Sequence, residues 1–211
     1  MSTTTGPERT RVPGRRPFRR GWFIGASISL IWTFPVLVEL WEGPSVAGHL
    51  VGTAIIVVFA AVFMATVPYA RVTTSRLRRL LPTVVLFALS LTLLPWLGTD
   101  VRWMWTFVGV AFAVSAMGRR TTWLFVPALS ALSFVVGEAM GADAFSNVVN
   151  SAIILSISIM MFSFVENIST LERLRAAQEQ IAELAAERER GRVARDVHDI
   201  LGHSLTVITV K

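Results

Sequence analysis

The sequence contains no cysteine among its 211 residues, which excludes disulfide bonds, thiol catalysis and cysteine-based metal sites. Charged residues are also few, at 16% against roughly 25% in an average soluble domain. Hydrophobic residues make up 53% of the chain, and its mean hydropathy is +0.59. A soluble domain of this size cannot bury so much apolar surface, and a disordered chain needs low hydrophobicity and high charge. The composition therefore predicts a membrane protein.

Lysine occurs once, at Lys211, so the net charge of +6 comes from arginine. The arginines form short clusters beside apolar runs, which is typical of membrane-topology signals rather than of a nucleic-acid-binding surface. We therefore expect the lipid bilayer as a partner and no direct contact with nucleic acid.

Six apolar stretches come close to the about 20 residues that a helix needs to cross a bilayer core. They cover residues 22–41, 46–69, 80–97, 103–117, 123–138 and 148–165. Each is predicted to be helical, because backbone groups in lipid must be paired within the segment. The sequence thus predicts an all-α fold with a six-helix transmembrane domain over residues 21–165. A disordered basic tail is predicted over residues 1–20.

The arginines alternate between the predicted connections in a way that indicates the orientation. Six precede the first span, and six more lie between spans two and three and between spans four and five: Arg71, Arg76, Arg78, Arg79, Arg119 and Arg120. The alternate connections carry the acids Glu42, Asp100, Glu138 and Asp143, with Arg102 as the exception. Because positive charge accumulates on the cytoplasmic side, we expect a multi-pass protein of the bacterial inner membrane with both termini in the cytoplasm.

After the sixth span the composition changes to strong helix formers, without glycine or proline over residues 166–190. A spacing of three and four residues relates Leu171, Leu174, Gln178, Ile181, Ala185 and Arg188. This seam predicts a coiled-coil-like cytoplasmic stalk that buries its apolar side in a parallel homodimer.

Residues 189–208 form a second amphipathic pattern, whose apolar face would contain Val193, Val197, Ile200, Leu201, Leu205 and Ile208. His198 falls at the edge of that face, while Asp199 and His203 point elsewhere. A neutral imidazole in this position is a good nucleophile near neutral pH, and a nearby carboxylate can stabilise the imidazolium. We expect no metal site on His198 and His203, because a spacing of five residues splays the two side chains around the helix.

The stretch from Glu189 to Leu205 resembles the phosphoacceptor box of sensor histidine kinases of the NarX/DesK-like type. It reads Glu-Arg-Gly-Arg-Val-Ala-Arg-Asp-Val-His-Asp-Ile-Leu-Gly-His-Ser-Leu. The resemblance implies that residues 191–211 begin a dimerisation and phosphoacceptor domain. It implies that His198 is the phosphorylated histidine, that Asp199 is the acid–base residue, and that His203 positions the water for a phosphatase reaction.

The same resemblance implies a two-component system, in which phosphate passes from ATP to the histidine and then to an aspartate of a response regulator. ATP and Mg²⁺ would serve the complete kinase. The chain carries no G-x-x-x-x-G-K-[ST] loop, and it reaches Lys211 inside the first helix of the phosphoacceptor domain. We therefore expect a truncated kinase that lacks the ATP-binding domain, binds no cofactor itself and is inactive alone.

Two other classes of protein remain open. One is a non-catalytic membrane partner of a kinase, and the other is a small membrane transporter with a cytoplasmic oligomerisation helix. A transporter predicts charged groups in mid-span, whereas Glu39 and Glu138 both lie in the last turn of a predicted span. The outer connections are too short to fold as a sensor domain, so we expect the stimulus to be sensed within or at the bilayer.

Overall fold

The computed structural model describes residues 17–46, 48–115 and 118–209, with side chains for 21–46, 48–115, 118–193 and 195–197. Helices account for the regular structure of these residues, and the part of the chain described contains no strand. The predicted all-α class is confirmed. Residues 1–16 of the predicted basic tail lie outside the described residues, and the first helix begins at Pro17, inside that predicted tail.

Nine α-helices follow one another along the residues that the structure describes. They are α1 Pro17–Ser29, α2 Phe34–Glu42, α3 Thr53–Val72, α4 Arg76–Arg79, α5 Leu81–Thr92, α6 Leu94–Leu97, α7 Trp105–Val114, α8 Arg119–Ala139 and α9 Ala144–Thr209. Short 3₁₀-helices, Leu30–Thr33 and Gly98–Met104, precede α2 and α7, and a π-helical turn, Gly48–Gly52, precedes α3.

Four helical stretches of the described residues are long and apolar enough to cross a membrane: Gly21–Glu42, Gly48–Val72, Arg119–Ala139 and Ala144–Val197. They contain the first, fifth and sixth predicted spans and, from Gly48 onward, the second. The first of them combines α1, a 3₁₀ turn and α2, and the second combines the π turn and α3.

The structure differs from the prediction over the third and fourth spans, 80–97 and 103–117, which were expected to be two separate helices. The structure forms a broken pair instead, Arg76–Thr92 and Leu94–Val114, bent by 47°. With 12 and 10 residues, α5 and α7 are about 18 and 15 Å long, shorter than a bilayer core. The break has a local cause, because Pro95 interrupts the helix and Gly98 takes a φ of +50° that favours glycine.

Contacts between α5 and α7 show that the two helices pack side by side. Nε1 of Trp105, at the start of α7, donates a hydrogen bond to Oγ of Ser90, near the end of α5, at 3.1 Å. The rings of Phe87 and Trp105 also meet, with centroids 5.2 Å apart. The last turns of α5 and the first residue of α7 are therefore in contact across the intervening α6 and 3₁₀ segment.

Helix α7 lies at the centre of the helix packing. Its residues from Phe107 to Val114 are all buried, as expected for a helix that is apolar on every side. Phe107 meets Phe59 and Phe63 of α3 edge to face, with ring centroids 5.9 and 5.0 Å apart. Phe112 stacks on Phe125 of α8.

The chain divides into two compact units, Met1–Ser163 and Phe164–Lys211. We call them the membrane unit and the C-terminal unit. The membrane unit contains the apolar helices and their packing contacts. The C-terminal unit is helical through Thr209, and its larger apolar side chains over residues 171–197 are exposed in the single chain.

Candidate functional site

The predicted phosphoacceptor residues all lie on one helix. Positions 198, 199 and 203 belong to α9, so the helical backbone expected for this segment is confirmed. The side chains of His198, Asp199 and His203 lie outside the described residues. Their roles therefore stay predictions.

Just before these positions, Arg192 joins two acidic side chains on successive turns of α9. Its Nε donates to Oε2 of Glu189 at 3.0 Å, and its Nη1 donates to Oδ2 of Asp196 at 2.9 Å. The hydrogen bonds from Arg192 hold the pKa of the Glu189 carboxyl below its usual range. Because the three side chains are exposed, they order this helix surface more than they stabilise the fold.

Several large apolar side chains among the described residues of the C-terminal unit are exposed in the single chain. Leu171, Leu174 and Ile181 of the predicted seam are 52%, 54% and 67% exposed. The described members of the second apolar face, Val193 and Val197, are about half exposed too. Leu184, at 53%, continues the stripe, although the spacing of three and four residues predicts Ala185 in the seam instead. Such a stripe on an otherwise polar helix is typical of a helix that packs against a partner.

A second group of polar residues, missed by the sequence analysis, surrounds Arg102 in the membrane unit. Arg102 is 2% exposed, and its guanidinium donates to the backbone carbonyls of Thr99 and Ser133 and to Oδ1 of Asn147. We interpreted Arg102 from the sequence as a charge that opposes the topology trend. The structure shows that it is a buried group with hydrogen-bond partners on three segments.

Asn147 completes this cluster by joining α9 to α8. Its Nδ2 donates to Oε1 of Glu138 at 2.9 Å and to the carbonyl of Phe134 at 3.1 Å. A Cβ atom at Gly137 would overlap both the Arg102 guanidinium and the Asn147 amide, so this position requires glycine. The arginine, asparagine and glutamate therefore tie the 3₁₀ segment, α8 and α9 together where α8 ends and α9 begins.

Further polar contacts follow along the same pair of helices. Oγ of Ser133 donates to Oδ1 of Asn150 at 2.8 Å, and Oγ of Ser130 donates to the carbonyl of Ser151 at 2.7 Å. Small polar residues of this kind let helices approach closely in a membrane and bond across the interface. No group of three or more metal-binding side chains occurs among the residues that the structure describes.

Comparisons with known proteins identify the C-terminal segment. Residues 189–211 match a family described as "Histidine kinase". The chain is also similar to "Sensor histidine kinase YvfT" of Bacillus subtilis strain 168, with 54% identity over 39 residues. That match covers 18% of this chain and 10% of the relative's length. No solved structure matches. The predicted resemblance to a NarX-like sensor histidine kinase is confirmed for this segment.

Proposed function

We propose that this chain is the membrane and phosphoacceptor part of a sensor histidine kinase in a two-component system. The observation that carries the proposal is the family match over residues 189–211, because that match contains His198 and its flanking residues. Among the described residues, four helical stretches long and apolar enough to cross a membrane support a membrane location for the rest of the chain.

In the proposed reaction, an imidazole nitrogen of His198 attacks the γ-phosphoryl group of ATP, the bond to the β-phosphate oxygen breaks, and ADP leaves. Asp199 accepts the imidazole proton as the nitrogen–phosphorus bond forms. The phosphoryl group then passes to an aspartate carboxylate of a response regulator. His203 positions the water that hydrolyses this acyl phosphate in the phosphatase reaction.

ATP and its Mg²⁺ are held by an ATP-binding domain, since phosphoryl transfer depends on positioned phosphates and metal. The 211 residues contain no loop of the G-x-x-x-x-G-K-[ST] type, so no residue of this chain is assigned to the nucleotide. The proposed contribution of this chain is the acceptor histidine, its acid–base partner and the helices that control access to them.

The proposed active form is a homodimer through the C-terminal unit. The exposed stripe of Leu171, Leu174, Ile181 and Leu184 supports it, because a second copy would cover these side chains. A stimulus sensed in the membrane unit would change the register or rotation of α9 in the dimer. If the two α9 helices have two discrete packings, a switch between them would change the access of the ATP-binding domain to His198.

A phosphorylation assay tests the proposal. The chain is continued into the remaining catalytic part of a histidine kinase of known activity, aligned on His198, and reconstituted in lipid nanodiscs. With ATP labelled at the γ-phosphate, we expect base-stable, acid-labile label that is lost in His198→Gln. The matched control, His203→Gln, should keep the label.

If the label persists in His198→Gln, the phosphoacceptor assignment is wrong. If the fusion takes up no label while the donor kinase alone does, the chain is better described as a non-catalytic membrane partner.

A further inference from the structure

The membrane unit contains a cavity of about 510 Å³ between three segments that are distant in sequence. The α1–α2 stretch contributes Ser29, Trp32, Pro35, Val36 and Glu39, which recur at helical spacing along one face. The 3₁₀ segment and α7 contribute four residues from Asp100 to Phe107, and α9 contributes Ile153 and Ile157. A volume in this range is typical of sites for small organic ligands.

Two acidic side chains meet at this cavity. Glu39 of α2 and Asp100 of the 3₁₀ segment both line it, so the cavity has an acidic end. Glu42 adds a further negative charge that acts on Glu39, and Arg102 places one positive charge near Asp100. Arg102 is already engaged by Ser133 and Asn147, so it does not close the acidic end.

A buried hydroxyl group lines the same cavity. Oγ1 of Thr106 is enclosed and has no hydrogen-bond partner among the residues that the structure describes. A buried polar atom without a partner costs free energy. A ligand with hydrogen-bond donors could satisfy it together with the two carboxyl groups.

The rest of the lining is apolar and aromatic. Phe107 and Ile157 provide an apolar wall, and Trp103 offers an indole ring. Trp32, which also lines the cavity, is 74% exposed at the protein surface. It belongs to Gly21–Glu42, which is long and apolar enough to cross a membrane, so in a bilayer the exposed Trp32 side chain would face lipid.

We propose that this cavity binds a cationic amphiphile, with an alkylammonium headgroup at Glu39, Asp100 and Thr106 and an alkyl chain along Phe107 and Ile157. The ammonium group donates hydrogen bonds to the two carboxylates and to the hydroxyl oxygen of Thr106. The indole of Trp103 adds a favourable cation–π contact. The ligand enters from the bilayer past Trp32.

Ile153 and Ile157 belong to α9, so the bound amphiphile contacts the helix that contains position 198. A role for the amphiphile as a stimulus of phosphorylation rests on the proposed kinase function. Binding of the amphiphile does not depend on that function, so the experiment measures binding alone.

The test uses the full chain in nanodiscs and radiolabelled dodecylammonium in equilibrium dialysis, with empty nanodiscs subtracted. We expect saturable binding that unlabelled dodecylammonium displaces. Dodecanol and dodecyl sulfate should compete at least tenfold more weakly, because they have the same chain but no positive charge. Equal competition by dodecanol would overturn the proposal.

Two sets of variants locate the site. The double variant Glu39→Gln, Asp100→Asn should weaken binding at least tenfold, while Asp143→Asn, outside the cavity, should leave it unchanged. Filling the cavity with Ile157→Phe should also reduce binding, whereas Met160→Phe on the exposed side of α9 should not. Unchanged dissociation constants in both the double variant and Ile157→Phe would overturn the site. If Ile157→Phe loses binding and the double variant keeps it, the cavity binds the alkyl chain only, and the proposed recognition of a cationic headgroup is wrong.

Discussion

Nη1 of Arg102 donates a hydrogen bond to Oδ1 of Asn147 across 45 residues of sequence, joining the 3₁₀ segment before α7 to the first turn of α9. The same amide donates to Glu138, so one asparagine connects a buried cation to a carboxyl group. A guanidinium in an apolar protein interior is stable only when its donors are satisfied. This contact explains why an arginine occupies a connection that otherwise holds acidic residues.

We expect Asn147→Ala to lower the free energy of unfolding by about 2 kcal/mol, because it leaves Arg102 and Glu138 each short of a partner. Equilibrium unfolding of the chain in mixed micelles measures this. Asn167→Ala, at an exposed position of α9, is the matched control and should change stability by less than about 0.5 kcal/mol. Equal stability of the two variants would show that the Arg102 cluster contributes nothing to the fold.

Close packing of α7 against α9 gives a second prediction. A Cβ atom at Gly109 would overlap the side chain of Ser158, so Gly109→Ala should cost about 1–3 kcal/mol. Adding Ser158→Gly should restore part of the loss by removing the overlap. Gly25→Ala, where nothing lies within 4 Å of the added carbon, is the control and should not destabilise the chain. Thermal unfolding of these three variants and the unchanged chain in nanodiscs measures the effect. If the double variant is no more stable than Gly109→Ala, the overlap with Ser158 is not the cause of the loss.

Local patterns predicted the long helices well. Hydropathy over about 20 residues depends on the segment alone, so the spans containing Trp22, Val46, Trp123 and Val148 follow from the sequence. The positive φ at Gly98 did not follow, because it depends on how the chain must turn between α6 and α7.

The candidate site residues also differ in whether a local sequence pattern or a contact between distant segments points to them. The prediction for His198 came from a contiguous motif, and the family match covers the residues of that motif. The role of His198 stays a prediction. Asp100 and Thr106 were not found, because their significance depends on Glu39 and Trp32 from another helix. Glu39 drew attention as an acid inside a span, but its partner was not visible in the sequence.

Because the chain contains no cysteine, single introduced thiols can test the proposed dimer without background. Ile181→Cys lies on the exposed apolar stripe and should form an intermolecular disulfide under mild oxidation, since facing positions in a helix pair bring Cα atoms within about 7 Å. Glu183→Cys lies about 200° further round the same helix and is the control. Non-reducing electrophoresis of nanodisc samples measures the yield. Similar yields at both positions would contradict a dimer through this stripe.

The last prediction concerns the separate roles proposed for Asp199, in acid–base catalysis, and His203, in positioning the water. In the fusion used to test phosphorylation, Asp199→Asn should slow label uptake about 10²–10⁴-fold, because general base catalysis contributes that much. His203→Ala should retain uptake but lose at least tenfold in the rate at which it dephosphorylates a response regulator, since the attacking water is no longer positioned. Ser204→Ala is the control for both rates. The two rates are measured separately, by label appearing on the fusion and by label leaving purified phosphorylated regulator. Equal loss of both rates in each variant would mean that the two side chains act through the helix rather than through distinct chemical steps.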